Sequence, residues 1–354
     1  MAMIHGGDIY RNYVKSDFSV NINPLGIPEK VKTALCDAVA MCGRYPDPEA
    51  EALKRAVAAM LAVPEEYFLF GNGASELFIA IMHGIKPKKT VIPVPSFYGY
   101  EYAAEAVGGE IVYYEMRRED AFGLTQDFYS VLTEDVELLF LANPNNPTGK
   151  LMRKEEIIRI LEYCKDRGIS VVLDECFIEF CGWKTSMIPE CARFDNLILV
   201  RAFTKIFSIP GVRLGYLACS DSALLRRIKR QLPEWNLSVF AQEAGRVCAG
   251  QADFIAETES YIRREREYLV SGLRDMGYTV YPSEANFVLI CREEALHGEW
   301  REEPHEKLYD KLLARGILIR DCENFRGLGR GYYRIAVKSR AENDILLNMI
   351  ATEI

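Results

Sequence analysis

Short apolar runs alternate with stretches of helical periodicity over residues 48–231. The runs are rich in Val, Ile and Leu, which is typical of strands buried on both faces, and they predict seven strands, at 68–70, 90–93, 110–114, 138–142, 170–173, 197–201 and 213–218. Apolar residues spaced three or four positions apart predict helices, at 48–61, 75–84, 98–106, 154–166 and 222–231. This alternation predicts an α/β fold whose large domain holds a mostly parallel seven-stranded sheet covered on both faces.

The pattern changes after about residue 239. One or two long polar helices are predicted over 239–273, followed by a helix at 307–315 and by strands at 279–281, 286–290, 317–320 and 332–337. These elements predict a second, small α+β domain. Residues 1–28 carry turn signals and predict an irregular arm that joins the small domain. We therefore expect a large domain at 42–240 and a small domain made of 1–41 and 241–354.

Composition narrows the class of protein. The chain has 354 residues, an apolar fraction of 49% and a formal net charge of −8, and this acidic balance argues against a nucleic-acid partner. No apolar run reaches the roughly 18 residues of a membrane span, and the first residues show no signal-peptide pattern. The ten cysteines include no C-x-x-C pair, so we expect reduced thiols in a cytoplasmic protein. The four histidines lack metal-ligand spacing, and no metal site is expected.

The segment A-F-T-K-I-F-S-I-P-G-V-R-L-G-Y, residues 202–216, holds a lysine and an arginine in an apolar setting. Apolar neighbours disfavour the ammonium form of Lys205 and favour the nucleophilic amine. Arg213 offers a guanidinium suited to a phosphate. Asp174 follows the apolar strand 170–173, and an acid at the carboxyl end of a buried strand is a costly placement that usually serves a function. Together these groups suggest the cofactor pyridoxal phosphate, with the lysine on its aldehyde carbon, the arginine on its phosphate and the aspartate on its pyridinium.

Three loops after predicted strands add further groups. In G-N-G-A-S-E, residues 71–76, free N–H groups and Ser75 at a helix start can bind an anion, although a capped helix also explains the motif. Phe97, in P-S-F-Y-G-Y, can stack on a planar ring, although core packing is the commoner role of such a residue. N-P-N-N-P-T-G, residues 143–149, is more specific. Its prolines and glycine form a rigid turn that directs Asn146 to the carboxyl edge of the sheet, where the amide can donate to the cofactor phenolate oxygen.

These motifs occur in the order found in the fold-type I pyridoxal-phosphate enzymes. Nearly the whole chain resembles their histidinol-phosphate aminotransferase branch. Both ends resemble the threonine-phosphate decarboxylases of cobalamin biosynthesis, through H-G-G-D-I (5–9), N-I-N-P-L-G (21–26), I-L-I-R-D-C (317–322) and Y-Y-R-I-A-V-K-S (332–339). The resemblance implies the fold-type I transferase fold, pyridoxal 5'-phosphate as cofactor, and decarboxylation of L-threonine O-3-phosphate to (R)-1-amino-2-propanol O-2-phosphate and carbon dioxide.

The resemblance also implies the site residues. Those implied to hold the cofactor are Tyr45, Ala74, Ser75, Phe97, Asn146, Asp174, Thr204, Lys205 and Arg213, of which Lys205 and Asp174 are catalytic. Those implied to bind the substrate are His5, Gly6, Asn23, Asn146, Arg320 and Arg334, with Arg334 on the carboxylate and Arg320, His5 and Asn23 facing the phosphate. Tyr45 is implied to reach the cofactor phosphate of the partner subunit, which predicts a homodimer with shared active sites. Without the resemblance, surface ion pairs would explain the two arginines and a disordered terminus would explain His5.

Three positions depart from the family pattern. Phe177 stands where the aminotransferases have a tyrosine that donates to the phenolate oxygen, and this change favours the decarboxylase. Ala202 lacks a hydroxyl that commonly contributes to phosphate binding. Asp8 stands where the decarboxylases usually have asparagine, and its charge would repel a nearby phosphate, so either Asp8 points away from the substrate or the substrate differs.

Several functions stay open at the level of sequence. Decarboxylation breaks the bond from Cα to the carboxylate and transamination breaks the bond from Cα to hydrogen, and the same residues serve both. The alternatives are therefore a histidinol-phosphate aminotransferase, a decarboxylase of L-serine phosphate, and a catalytically silent pyridoxal-phosphate regulator. The retained Lys205, Asp174 and Arg334 argue against a silent protein. No G-x-G-x-x-G follows the first strand, which disfavours a dinucleotide-binding enzyme.

Overall fold

The computed structural model describes residues 5–292 and 307–352. Its strands, in chain order, are β1 (Ser16–Asp17), β2 (Phe68–Gly71), β3 (Lys89–Val94), β4 (Glu110–Glu115), β5 (Leu138–Ala142), β6 (Ser170–Asp174), β7 (Leu197–Ala202), β8 (Gly215–Ala218), β9 (Tyr278–Val280), β10 (Phe287–Arg292), β11 (Ile317–Leu318), β12 (Arg320–Asp321) and β13 (Tyr332–Ala336). Its α-helices are α1 (Glu29–Ala38), α2 (Glu51–Leu61), α3 (Ala74–Ile85), α4 (Tyr98–Glu105), α5 (Lys154–Lys165), α6 (Phe203–Ile206), α7 (Ser222–Lys229), α8 (Val239–Cys248), α9 (Ala252–Asp275), α10 (Leu308–Leu313) and α11 (Arg340–Ala351).

The largest sheet has seven strands in the order β2-β8-β7-β6-β5-β3-β4. Its strands run parallel except β8, which is antiparallel to both β2 and β7. The predicted fold class is therefore confirmed. The last predicted strand begins two residues later than expected, because the backbone of Arg213 lies in the left-handed region with φ 60°, a conformation that a strand cannot include.

Alternate residues of the central strands pack on opposite faces of this sheet. In β5, Leu139 and Leu141 belong to one apolar cluster and Leu138 and Phe140 belong to the other. The same alternation holds in β6 and β7, because side chains point to opposite faces in turn. Both faces are buried, and in folds of this kind ligands bind at the carboxyl end of the parallel strands.

A second sheet has four antiparallel strands in the order β12-β13-β10-β9. The single strand expected at 317–320 is divided into β11 and β12, and β11 pairs with β1 of the N-terminal segment in parallel. Phe18 then accepts a 2.9 Å hydrogen bond from the backbone N–H of Ala336, at the end of β13. This pairing brings residues 19–21 beside the four-stranded sheet.

Three helices of the described residues were not predicted, namely α1, α11 and the four-residue α6. Helix α1 packs against α8, and the sequence before it offers only Pro28, whose side chain provides no cap. Helix α11 begins with a capping box in which Ser339 and Glu342 exchange hydrogen bonds. That signal is present in the sequence as S-R-A-E and identifies a helix start. No helix in the two described ranges is long and apolar enough to cross a membrane.

Candidate active site

A cavity of about 710 Å³ lies at the carboxyl edge of the seven-stranded sheet. Its walls also include residues of the N-terminal segment and of the strands β12 and β13. Twelve of the predicted site residues line it: His5, Gly6, Ala74, Ser75, Phe97, Asn146, Asp174, Thr204, Lys205, Arg213, Arg320 and Arg334. Asn23 and Tyr45 are not among its lining residues. No group of three potential metal ligands occurs in the part of the chain that the structure describes.

The turn after β5 presents Asn146 to this cavity. The side chain of Asn143 accepts a 2.7 Å hydrogen bond from the N–H of Met152, and the amide of Asn145 donates to the carbonyl of Pro95 at 3.1 Å. These two hydrogen bonds hold the turn against the neighbouring segments. Asn146 is buried and its Oδ1 accepts from Arg334, which leaves the amide N–H₂ of Asn146 as the donor available to a ligand.

Asp174 is the last residue of β6 and is held by two hydrogen bonds. Its Oδ1 accepts from the N–H of Cys176 at 2.8 Å and its Oδ2 accepts from the hydroxyl of Tyr100 at 2.5 Å. Burial raises the pKa of the carboxyl, and the two hydrogen bonds and the charge of Lys205 oppose that rise. Tyr100 was missed at the level of sequence, although it lies in the same P-S-F-Y-G-Y motif as Phe97.

Lys205 lies in the short helix α6, directly after β7. Burial lowers the pKa of its amine to about 8, and the positive charges of Arg334 and Arg213 act in the same direction. At neutral pH a useful fraction of the amine is therefore uncharged and nucleophilic. The apolar neighbours in the sequence predicted this shift, whereas the contribution of Arg334 required the fold.

A cradle for an anion forms between the start of α3 and Arg213. Gly73 has φ +84°, and a Cβ at that position would collide with the guanidinium of Arg213. A Cβ at Gly215 would lie 2.8 Å from the backbone nitrogen of Ala74. Glycine at both positions thus permits the close approach of the helix start and Arg213. The hydroxyl-bearing residues Ser75 and Thr204 line the same cavity, which adds possible donors for phosphate oxygens.

Arg334 is a buried arginine with an incomplete set of partners. Its Nη1 donates to Oδ1 of Asn146 at 2.5 Å and its Nη2 donates to the carbonyl of Ser19 at 2.7 Å. Its Nε has no hydrogen-bond partner within the two described ranges. Because a buried charged donor is costly to leave unpaired, this nitrogen indicates a site for an anionic group.

Arg320 and His5 lie near Arg334. Arg320 is equally buried and its Nη2 donates to Oδ1 of Asn324 at 2.7 Å. The ring of His5 lies 5.8 Å from that of Phe97. Burial lowers the pKa of His5, and the charges of Arg320, Arg334 and Lys205 lower it further. The cavity is thus a region of positive potential suited to a multiply charged anion.

The structure does not place Asn23, which was expected to face the substrate, among the residues that line the cavity. Its amide donates to the carbonyl of Ile206 and to the hydroxyl of Thr258, both at 2.8 Å, and its Oδ1 accepts from the N–H of Leu25. Asn23 therefore fastens the N-P-L-G turn to the core. Asn21 lines the cavity instead, and its buried Oδ1 has no hydrogen-bond partner among the described residues. Asn23 opens the N-P-L-G turn, and an asparagine at the start of a turn commonly accepts a hydrogen bond from the N–H two residues later. This position in the turn is the sequence signal that distinguishes Asn23, as a structural residue, from Asn21.

The departures from the family pattern also have defined positions. Asp8 does not line the cavity, and its carboxylate pairs with Arg11 at 3.4 Å. Phe177 lines the cavity and packs edge-on against Phe287 at 5.1 Å. Tyr45 is 79% exposed, and its ring centroid lies 5.0 Å from that of Trp235. Of the two departures that were expected to disturb phosphate binding, Asp8 is thus directed elsewhere, whereas Ala202 lines the cavity without a hydroxyl.

The residues present fit pyridoxal 5'-phosphate. Because Gly73 has no side chain, the helix start and Arg213 come close together, and they offer the donors that a phosphate requires. Asp174 is a buried acceptor for a ring N–H. The Oδ1 atom of Asn146 is bonded to Arg334, so its amide N–H₂ can donate to the cofactor. The fold and the site together place the protein among the pyridoxal-phosphate-dependent enzymes of fold type I.

Comparison with known proteins agrees with this class. Residues 14–350 match the family model described as "Aminotransferase class I and II". The chain is 38% identical to the threonine-phosphate decarboxylase of Salmonella typhimurium over 333 residues, which cover 94% of this chain and 89% of that protein. It is 34% identical to the histidinol-phosphate aminotransferase of Caldanaerobacter subterraneus, over 95% of this chain and 92% of that protein.

A solved structure is also similar. The histidinol-phosphate aminotransferase from Clostridium acetobutylicum superposes with a TM-score of 0.87 at 31% identity, over 96% of this chain and 98% of that chain. The protein therefore belongs to the aminotransferase class I and II family, and its cofactor is pyridoxal 5'-phosphate.

Proposed function

We propose that the protein is a pyridoxal-phosphate-dependent decarboxylase that converts L-threonine O-3-phosphate to (R)-1-amino-2-propanol O-2-phosphate and carbon dioxide, in cobalamin biosynthesis. The similarity to the Salmonella threonine-phosphate decarboxylase over most of both chains supports this assignment. The histidinol-phosphate aminotransferase of Caldanaerobacter, at lower identity, supports the runner-up.

One structural observation carries the proposal. Arg320 and Arg334 are directly opposite one another in the antiparallel pair β12-β13, and both are buried. Two positive charges that face each other across a sheet repel, so this part of the cavity favours a ligand with two anionic groups. A substrate with a carboxylate at one end and a phosphate at the other supplies both. We assign the carboxylate to Arg334, whose Nε is unpaired, and the phosphate to Arg320.

The remaining cavity residues divide between substrate and cofactor. His5, Gly6 and Asn21 lie on the N-terminal segment and are assigned to the substrate phosphate together with Arg320. On the cofactor, Phe97 is assigned to the ring face, Asn146 to the phenolate oxygen, and Asp174 to the pyridine nitrogen. The cofactor phosphate is assigned to the cradle of Ala74, Ser75, Thr204 and Arg213.

The chain's own residues then account for the direction of the reaction. When bound, the cofactor supplies an electron sink for the pair left at Cα. Arg334 and Arg320 would hold the substrate at its two anionic ends and so determine which bond at Cα is presented for cleavage. Asp174 would hold a proton on the ring nitrogen, which strengthens the sink. Decarboxylation replaces the carboxylate at Cα by a proton and releases carbon dioxide, and Lys205, once it has taken up a proton, would be the residue placed to deliver that proton.

The alternative functions would require different contacts from the same cavity. L-Serine O-phosphate has both anionic groups and lacks only one methyl, so discrimination against it rests on roughly 1–3 kcal/mol of apolar contact. Histidinol phosphate carries a phosphate and no carboxylate, so it leaves the orphan Nε of Arg334 without a partner. A silent cofactor-binding regulator has no use for an unpaired arginine donor suited to a substrate carboxylate.

We also propose a cytoplasmic homodimer. Tyr45 does not line the cavity of its own chain and is exposed beside Trp235, as required of a side chain that reaches into a partner's site. All ten cysteines are free thiols, which suits a reducing compartment. In this proposal residues 42–240 form the large cofactor-binding domain, and residues 1–41 and 241–354 form the small domain.

A single variant tests the assignment of the phosphate site. Arg320→Ala should raise KM for L-threonine O-3-phosphate by about 100-fold, since a charge-assisted contact to phosphate is lost, while the affinity for pyridoxal 5'-phosphate changes by less than about 3-fold. Arg326→Ala is the control, because Arg326 also lines the cavity but is half-exposed and pairs with Glu101. An equal effect of the two substitutions on KM would contradict the assignment.

A further inference from the structure

Tyr100 and Asp174 form a buried pair that the expected site did not include. The hydroxyl of Tyr100 donates to Oδ2 of Asp174 at 2.5 Å, and Tyr100 is only 1% exposed. We propose that Tyr100 is a positioning residue, which keeps Asp174 ionised and oriented toward the ring nitrogen of the cofactor. This inference rests on the proposed role of Asp174 and adds a residue that acts through it.

The surrounding rings allow the Tyr100 hydroxyl little freedom. The ring of Tyr100 stacks on Phe140 with centroids 5.0 Å apart and planes 12° apart, and Phe78 meets it edge-on at 5.1 Å. Tyr100 lies in helix α4, whose first residue follows Phe97. Because packed cores hold side chains in single rotamers, the hydroxyl is preorganised at Oδ2 before any ligand binds.

The same tyrosine also contacts the residue assigned to the cofactor ring face. Phe97 packs edge-on against Tyr100, with centroids 5.7 Å apart. A Cβ at Gly99 would collide with the Phe97 ring, so glycine between the two aromatic residues permits this arrangement. Tyr100 is thus in contact with both the side chain assigned to the ring nitrogen and the side chain assigned to the ring face.

The hydroxyl of Tyr100 matters electrostatically because Asp174 is buried. Burial favours the neutral carboxyl. It is opposed by the thiol and the backbone N–H of Cys176 after β6, by the hydroxyl of Tyr100 on α4, and by the charge of Lys205 on α6. Burial and the negative charge of Asp174 together hold the pKa of Tyr100 well above its ordinary value. Tyr100 therefore remains a neutral donor across the working pH range, and its hydroxyl stabilises the carboxylate form alone.

A carboxylate and a pyridine nitrogen in contact share one proton. The proton stays on nitrogen only while the carboxylate is the weaker base, and each hydrogen bond donated to the carboxylate weakens it as a base. Removing the Tyr100 hydroxyl should therefore move the shared proton toward Asp174. The result would be a neutral ring nitrogen and a weaker electron sink, with the substrate contacts of Arg320 and Arg334 left in place.

The experiment compares holoenzymes reconstituted with pyridoxal 5'-phosphate that is ¹⁵N-labelled in the ring. The ¹⁵N chemical shift reports whether the ring nitrogen is protonated, independently of turnover. Tyr100→Phe should move the signal from the protonated position toward the neutral position defined by Asp174→Asn. It should also lower kcat by about 10-fold or more, since a hydrogen bond to a charged group is removed, with KM little changed.

Tyr216→Phe is the matched control. It removes one hydroxyl from an equally buried tyrosine, on β8, which packs on Phe68 and makes no hydrogen bond to Asp174, and it should leave the ¹⁵N signal in place. Because phenylalanine retains the ring packing on Phe140 and Phe78, Tyr100→Phe should fold, and circular dichroism of the apoproteins verifies this.

The possible outcomes separate this inference from the proposal beneath it. A protonated ring nitrogen in the wild type, with an unchanged signal in Tyr100→Phe, would overturn the role of Tyr100 and leave Asp174 in place. A neutral ring nitrogen in the wild type would overturn the roles of both residues.

Discussion

Arg334 donates from Nη1 to Oδ1 of Asn146 at 2.5 Å, although the two residues are 188 positions apart in the chain. This bond joins the four-stranded sheet to the carboxyl edge of the seven-stranded sheet. It also fixes the orientation of the Asn146 amide, because the oxygen must face the guanidinium and the N–H₂ group must then face the cavity. One side chain thus serves the substrate carboxylate and aligns a donor for the cofactor.

Arg334→Lys should therefore impair catalysis more than cofactor binding. Lysine keeps the charge but loses the planar fork that can hold a carboxylate and Asn146 together, so kcat/KM for L-threonine O-3-phosphate should fall by about 100-fold. Affinity for pyridoxal 5'-phosphate, measured by titration of the apoprotein, should fall by less than about 10-fold. Arg340→Lys is the control, since Arg340 pairs with Glu265 at 2.8 Å outside the cavity. A loss of cofactor affinity as large as the loss of kcat/KM would contradict this account of Arg334.

Asn21 and Asn23 should respond to alanine in different ways. Asn23→Ala leaves buried partners of its amide unsatisfied, so the free energy of unfolding should fall by about 1–3 kcal/mol, with KM nearly unchanged. Asn21→Ala should leave stability nearly unchanged and raise KM for the phosphorylated substrate by about 10-fold. Thermal melts and KM values of both variants check this contrast, and a reversed pattern would restore Asn23 to the substrate site.

The large sheet and most of the residues that line the cavity could be predicted because their signals are local. The central strands are mainly apolar runs, and a polar residue such as Asp174 or Asn146 at or just after the carboxyl end of such a strand is expected at the ligand-binding edge of the sheet. The parallel connections then bring those ends together without further information.

The features that were missed depend on contacts between distant segments. The choice between Asn21 and Asn23 depended on which amide meets Thr258, a residue of α9. The hydrogen bond of Tyr100 to Asp174 joins α4 to the end of β6, and in the sequence Tyr100 is one of several tyrosines in an amphipathic segment. The partners of Arg334 follow from the pairing of β1 with β11, two strands of two residues each. No periodicity can be read from segments that short.

The pH dependence of stability should report the burial of Lys205. Folding lowers the pKa of its amine from 10.5 to about 8, so the folded state releases its proton first as pH rises. Wild-type apoprotein should gain stability between about pH 8 and about pH 10, by up to about 1.4 kcal/mol for each pH unit. Lys205→Met, which has no such group, should be more stable than wild type near neutral pH and lose that advantage as pH rises.

Denaturant unfolding of the two apoproteins across this pH range measures the difference directly. A stability difference that stays constant with pH would show that the amine of Lys205 is not shifted. The same variant should bind pyridoxal 5'-phosphate without the visible absorbance of a lysine-linked cofactor and should have no turnover.

Shared active sites can be tested by complementation. Tyr45→Phe and Lys205→Ala homodimers should each have low activity, the first because the Tyr45 hydroxyl is lost from the partner's phosphate site. After subunit exchange, each heterodimer should contain one site with both lesions and one site with neither. Recovered activity of about one quarter of wild type follows from random mixing, because half of the dimers are mixed and each has one intact site. Activity no higher than the mean of the two parents would show that Tyr45 does not act across the dimer.

The most direct measurement is a product assay on the purified holoenzyme with two substrates. L-Threonine O-3-phosphate is supplied alone, and histidinol phosphate is supplied with 2-oxoglutarate, while carbon dioxide and glutamate are measured separately. The proposed function predicts stoichiometric carbon dioxide and (R)-1-amino-2-propanol O-2-phosphate from the first substrate, and glutamate formation slower by about 100-fold or more from the second. Rapid glutamate formation from histidinol phosphate, with no carbon dioxide from L-threonine O-3-phosphate, would contradict the account and assign the protein to the aminotransferases.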